Sequence, residues 1–220
     1  MYMRHLYRLH EARYKFAADY VASKRVLDVA CGVGYGAALL ADAGASMVFG
    51  VDVSAEAIGY ARSRYARANV HYIVADAAAI GMADESVDVV ASFETIEHLK
   101  GDKIEPFLQE LKRLVTPGGA VFLSTPNGEA SYRLGAYHTV EFGFGEFRSL
   151  IGRYFPKATF YGQRMVPRWY LTLAGKARSL PLVWCLDAAV RATFFTSAQI
   201  EDFPNGGALP MFFVARCVSE

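Results

Sequence analysis

The segment VLDVACGVGYG at 26–36 constrains this 220-residue chain more than any other. A short run of branched apolar residues passes directly into Gly32, Gly34 and Gly36. That order reads as a strand, a tight turn and the start of a helix, which is the opening unit of a parallel α/β sheet. Glycines let the backbone turn sharply and let a ligand approach it closely. The amides that begin the helix favour polar or anionic groups. On this stretch alone the ligand stays open, because GVGYGA also satisfies the dinucleotide fingerprint with Ala as its third small residue, and a nicotinamide enzyme fits it too.

The same alternation continues along the chain. Residues 25–29, 47–53, 70–74, 87–93 and 120–124 read as strands. Between them, 34–43 reads as a helix, Ser54 as the N-cap of a second, and Asp102 as the cap of a third that Thr116-Pro117-Gly118-Gly119 stops. Residues 10–22 form an amphipathic entry helix within an N-terminal cap segment, 1–24. Helix 145–154 and strands 158–163 and 211–217 follow. The expected fold is a single α/β domain over 1–220, doubly wound and Rossmann-like, with a mostly parallel sheet. Residues 164–207, rich in Trp, Tyr, Leu and Arg, are too long for a structureless connection. They are expected to form a helical insertion serving as a lid or as a homodimer surface.

Composition narrows the partners. The net charge is +1, so no strongly charged partner is implied. Basic residues do cluster in 1–25 and in 164–191, which gives either a solvated surface or a positive rim for a phosphorylated acceptor. Cys31, Cys185 and Cys217 have neither disulfide-framework nor metal-ligand spacing, so a reducing cytoplasm is expected. The N-terminal residues lack the apolar core of a signal peptide, and the apolar stretch 180–195 is too short for a membrane span and contains Asp187 and Arg191.

Acidic residues recur at successive strand ends. Asp28 lies within the first strand, Asp52 closes the second and Asp76 follows the third, while Ser92-Phe93-Glu94 ends the fourth. A carboxylate suits a ligand ammonium at the first, a ribose diol at the second and an adenine amino group at the third. Open α/β sheets bind ligands at this edge.

As a set, VLDVACGVGYG, GVDVS, VADA, SFETIEHL and LVTPGG resemble the successive motifs of class I S-adenosylmethionine (SAM)-dependent methyltransferases, over about residues 20–160. The resemblance implies a seven-stranded sheet with an antiparallel last strand. It also implies that Asp28, Ala30, Cys31, Gly32 and Gly34 face the methionine end of the cofactor, Asp52 and Val53 the ribose, and Asp76 and Ala77 the adenine, with Phe93 beside them. Arg13 and Tyr14 resemble positions in enzymes whose entry helix closes over SAM. The family's usual LKPGG reads LVTPGG here, a small departure.

Methyl transfer from a sulfonium needs alignment and exclusion of water, and a hydroxyl acceptor must also lose its proton. Glu94, Glu97 and His98 fall at i, i+3 and i+4, one face of a helical turn. His98 is the leading candidate base, with His138 in the loop after the fifth strand as a second histidine. These four residues also form a plausible ligand set for a divalent metal, and a purely structural role as helix braces remains a third reading. ETIEHL, STPN and YHTVEFGFGEFRSLI are similar to bacterial sugar and glycan methyltransferases, which implies a sugar-containing small molecule or glycan as acceptor. The same four residues resemble the metal-ligand pattern of RNA 3′-terminal 2′-O-methyltransferases, ranked second because no RNA-binding appendage is evident. Quinone-biosynthesis O-methyltransferases share the Glu-His pair. A catalytically silent SAM-binding partner protein is the non-enzyme alternative.

Overall fold

The computed structural model describes residues 2–130, 137–167, 200–202 and 208–220. Along the chain run α1 (Tyr2–Ala18), β1 (Arg25–Val29), α2 (Tyr35–Asp42), β2 (Met47–Asp52), α3 (Ala55–Arg64), β3 (Val70–Val74) and β4 (Val87–Phe93). A 3₁₀ turn (Ile96–His98), α4 (Gly101–Leu114), β5 (Val115–Pro126), α5 (Phe144–Tyr154), β6 (Thr159–Pro167), β7 (Ile200–Asp202) and β8 (Ala208–Val218) complete it. The sheet order is β3-β2-β1-β4-β5-β8-β6-β7. The first five strands pair in parallel, and β8 runs antiparallel between β5 and β6.

Both faces of the sheet are covered, which is why its strands are continuous apolar runs rather than alternating ones. On one face α1, α2 and α3 pack Tyr14, Leu40 and Ile58 against Val26, Val48 and Val89. On the other, α4 and α5 pack Phe107, Leu111, Phe147 and Ile151 against Leu27, Val90 and Leu123. In α4, Ile104, Phe107, Leu108, Leu111 and Leu114 are buried at helical spacing, so its apolar stripe faces the sheet. Placing Leu111 with no exposed surface stabilises the fold, and truncating it to Ala costs about 2–5 kcal/mol.

Several expectations need correction. The sheet has an eighth strand: the short β7 pairs with β6, at the edge. Residues 164–167 and 200–202, expected within the helical insertion, are strand, because β6 continues to Pro167 along β8 and β7 returns beside it. The remainder of that insertion, 168–199 and 203–207, lies outside the described residues. Asp102 is not the N-cap of α4. Lys100 holds that position and Asp102 falls in the first turn, where its charge complements the helix dipole. Ser54 does cap α3, accepting from Ala57 N at 3.2 Å. Among the described residues, no helix is long and apolar enough to cross a membrane.

Candidate functional site

The strand order places the C-terminal ends of β1, β2, β3 and β4 side by side, and the loops after them form one cleft edge. After β1 the backbone turns through Ala30 (φ 57) and Gly32 (φ 53) to Gly34 (φ 87), the left-handed N-cap of α2. A Cβ on Gly32 would meet no atom within 4 Å, so the backbone there is bare toward open space. Gly34 is required for a different reason: a Cβ would lie 2.8 Å from the Tyr72 ring and 2.6 Å from Ala61. Cys31 is buried under the loop and its amide donates to Val51 O at 2.9 Å.

Asp52 is held by two amides, Gly32 N at 2.8 Å and Ser54 N at 2.9 Å, which orient its carboxylate across the loop. Val53 beside it is 75% exposed, an apolar surface at the cleft edge. Asp76 accepts from Ala78 N and pairs with Lys103 Nζ at 3.2 Å; the amide bond, then the ammonium, hold its carboxyl below the usual range. Ala77 is half-buried against the core cluster of α4 and α5.

Helix α1 closes one side of this edge, at Asp28 and Gly36. The Tyr14 hydroxyl donates to Asp28 Oδ1 at 3.0 Å, and its ring sits so close to Gly36 that a Cβ there would lie 2.0 Å from Tyr14 Cζ. Phe93 stacks edge-on against Tyr14 with centroids 5.0 Å apart. Asp28 is fully buried, its Oδ2 has no hydrogen-bond partner among the described residues, and that burial pushes its carboxyl up to about 7. One residue earlier, Arg13 is also fully buried. Its Nε donates to Gln163 Oε1 at 2.8 Å, its guanidinium lies 4.4 Å over the Phe212 ring, and Nη1 approaches Glu94 Oε1 at 3.1 Å. That last contact is an ion pair without hydrogen-bond alignment, and Nη1 and Nη2 have no hydrogen-bonded acceptor among the described residues. A buried carboxylate oxygen and a buried guanidinium edge, both under-satisfied and carried by neighbouring elements, match the ammonium and carboxylate of an amino acid.

The acceptor-side residues fall into two groups. Glu94 is not on the face of a helical turn with Glu97 and His98: its backbone is left-handed (φ 54) and the 3₁₀ turn begins only at Ile96. Ser124 Oγ donates to Glu94 Oε1 at 2.8 Å, which holds Glu94 toward Arg13. Glu97, His98 and His138 do converge, each offering a ligand atom within 4.8 Å of the others. Glu97 is buried, Oε2 accepts from Thr125 Oγ1 at 3.1 Å, and Oε1 has no hydrogen-bond partner among the described residues. Burial first, and the nearby Glu94 second, hold its carboxyl above the usual range. His98 Nδ1 lies 3.0 Å from Tyr137 O and His138 Nδ1 lies 3.1 Å from Glu141 Oε1. Both partners accept only, so in each neutral ring Nδ1 bears the proton and Nε2 is the basic nitrogen. Glu141 also lines an acidic recess with Glu129 and Glu146.

Sequence reasoning overlooked His10 and Gln163. His10 shares the α1 face with Arg13, and burial followed by the Arg13 charge lowers its pKa to about 4, so the ring is neutral. The i, i+3 spacing of His10 and Arg13 was the available signal; nothing local marked Gln163.

A mostly parallel sheet with an antiparallel strand beside β5, and a glycine loop flanked by Asp28 and Asp52, is the architecture of a class I SAM-dependent methyltransferase. Residues 27–123 match the family model described as a methyltransferase domain, which together with the fold supports a class I SAM-dependent methyltransferase. It is 36% identical over 150 residues to a Mycolicibacterium smegmatis protein named "Probable S-adenosylmethionine-dependent methyltransferase", covering 66% of this chain and 56% of that one. A ubiquinone biosynthesis O-methyltransferase of Sinorhizobium fredii is 37% identical over 105 residues, 47% of this chain and 41% of its own length. The chain thus spans about half the length of the curated relatives it matches. A SAM-dependent methyltransferase from Archaeoglobus fulgidus superposes with a TM-score of 0.67 at 15% identity, covering 98% of this chain and 94% of that one, which establishes the fold.

Proposed function

We propose that the chain transfers the methyl group of SAM to a hydroxyl of a sugar-containing small molecule or glycan, with a divalent cation held by Glu97, His98 and His138. The observation that carries this reading is the convergence of those three side chains within 4.8 Å. Asp28 and Arg13 would take the amino-acid end of SAM, through the Asp28 Oδ2 and the Arg13 Nη atoms, which lack hydrogen-bond partners among the described residues. Asp52 would accept the ribose hydroxyls and Asp76 the adenine amino group, with Lys103 giving way. Val53 and Ala77 would flank the adenosine, while Tyr14 and Phe93 exclude water beside the methyl group.

A bound divalent cation lowers the pKa of a hydroxyl and orients it. The residues fit one: a buried carboxylate and two imidazoles whose Nδ1 atoms are already engaged make a hard-to-borderline donor set, with a carboxylate behind one histidine. The acidic recess of Glu129, Glu141 and Glu146 adds attraction for a cation. Glu97 would give up its proton on binding. When the acceptor oxygen attacks, one C–O bond forms, the C–S bond breaks, and the hydroxyl proton, made more acidic by the cation, passes to solvent; only with no cation bound would His98 Nε2 be free to take it.

The likeness to ubiquinone biosynthesis O-methyltransferases supports a second acceptor class, a phenolic hydroxyl. Isotopically labelled SAM offered to parallel panels of sugars, glycans, phenols and RNA ends tests the assignment. Label on sugar hydroxyls is expected; label confined to phenols or RNA overturns the sugar reading. Activity abolished by EDTA and restored by Mn²⁺ or Mg²⁺ is expected, and EDTA-insensitive turnover removes the cation. The buried, free Cys31 and Cys217 accord with a reducing cytoplasm.

A further inference from the structure

His98 and His138 come from segments forty residues apart in sequence, and something must set their spacing. Thr139 directly follows His138, and the carbonyls of Glu97 and Leu99 flank His98. The Thr139 amide donates to Glu97 O at 2.8 Å, and its hydroxyl lies 3.1 Å from Glu97 O and in a short contact with Leu99 O. Val140 N adds a longer bond to Glu97 O at 3.3 Å. On the other side of Thr139, His98 Nδ1 reaches back to Tyr137 O at 3.0 Å. One threonine next to one histidine therefore holds the peptide units on both sides of the other, and the rings end 5.0 Å apart between centroids.

We propose that Thr139 is a positioning residue that fixes the distance between His98 and His138 by bridging the carbonyls on either side of His98. This rests on the reading of Glu97, His98 and His138 as a cation site. The Thr139 amide alone can hold Glu97 O, so a hydroxyl used only to tie down the loop would be redundant there. Its distinct contribution is the contact to Leu99 O, which fixes the far side of His98. Val has the same β-branched shape as Thr but no donor, so Thr139→Val removes the bridge with little change in volume.

The test uses Co²⁺ as the probe ion, titrated into the purified chain and followed by its visible absorption, with S-adenosylhomocysteine affinity measured alongside. For Thr139→Val the expected result is about tenfold weaker Co²⁺ binding with a changed band shape, as for other residues that orient metal-bound histidines. S-adenosylhomocysteine affinity stays within about twofold of wild type, and Thr139→Ser, which keeps the hydroxyl, restores Co²⁺ binding. His98→Ala is the control that separates the two ideas. If His98→Ala loses Co²⁺ while Thr139→Val binds it as wild type does, the positioning role is wrong and the cation site stands. If His98→Ala binds Co²⁺ normally, the cation site falls and this inference with it. Equal losses of Co²⁺ and S-adenosylhomocysteine in Thr139→Val would mean general loosening of the fold, and would also overturn the role.

Discussion

The two ends of the cleft are supported over different sequence distances. At the expected cofactor end the three carboxylates are held mostly from nearby, Asp52 by Ser54 N two residues on and Gly32 N twenty away, Asp76 by Ala78 N, and Asp28 by Tyr14 fourteen away, with Lys103, 27 from Asp76, the farthest partner. At the expected acceptor end the corresponding separations are 28 for Thr125–Glu97, 39 for His98–Tyr137 and 42 for Thr139–Glu97. The first end is built by local motifs on neighbouring parallel strands. The second exists only once β5 and the loop after it have packed against the 3₁₀ turn, so its geometry depends on longer-range contacts. Mutations at the cofactor end should thus act mainly on ligand affinity, and those at the acceptor end should reach stability through remote elements.

The sharpest way to break this comparison is at Gly34. Gly34→Val combines a left-handed φ of 87 with contacts at 2.6 and 2.8 Å, so the loop must move. A loss of S-adenosylhomocysteine affinity of about a hundredfold or more is expected by calorimetry, from strain and overpacking together. Near-normal affinity would mean that the loop is not the cofactor cradle. Next in size is Arg13→Met. It strands Glu94 without its cation and should lower unfolding free energy in urea by about 3–5 kcal/mol, while Arg13→Met with Glu94→Gln recovers part of that. A loss confined to ligand binding would mean that Arg13 serves the ligand and does not stabilise the buried Glu94.

A smaller effect is expected from pH. The Asp28 carboxyl titrates at about 7 when folded, above its ordinary 3.8, so between those values the folded chain binds the proton that the unfolded chain has lost. The resulting stability is complete below the unfolded pKa and disappears as pH rises through the folded one. Melting temperature without cofactor should therefore fall between about pH 4 and 7 in wild type, and that slope should flatten in Asp28→Asn. An unchanged slope would locate the titration elsewhere. The smallest change is Tyr72→Phe, which deletes a 2.9 Å bond to Gly34 O. One such bond contributes about 1 kcal/mol, so a several-fold loss of S-adenosylhomocysteine affinity is expected. A larger loss of stability than of affinity would show that the hydroxyl braces the fold rather than the loop.

The same difference decided how much could be read in advance. The strand–glycine–helix order at 26–36, the Ser54 cap and the acids at strand ends are patterns written within a few residues, and the structure has them where expected. Glu94 was misread because the helical spacing with Glu97 and His98 assumed a regular turn. Its left-handed backbone and its bond with Ser124, thirty residues on, turn it toward Arg13. Gln163 carried no signal, since a glutamine in an apolar strand is unremarkable until Arg13 and the Leu9 carbonyl are brought to it.

Local sequence thus determined the alternation of strands and helices, the glycine cradle and the row of acidic residues beside it, because periodicity and backbone preference act over a few residues. Tertiary packing alone decided that β8 lies between β5 and β6, that Arg13 is buried against Glu94, and that His138 meets His98. Those outcomes depend on which distant surfaces bury one another, and no short stretch of chain encodes a contact whose partner lies forty or more residues away.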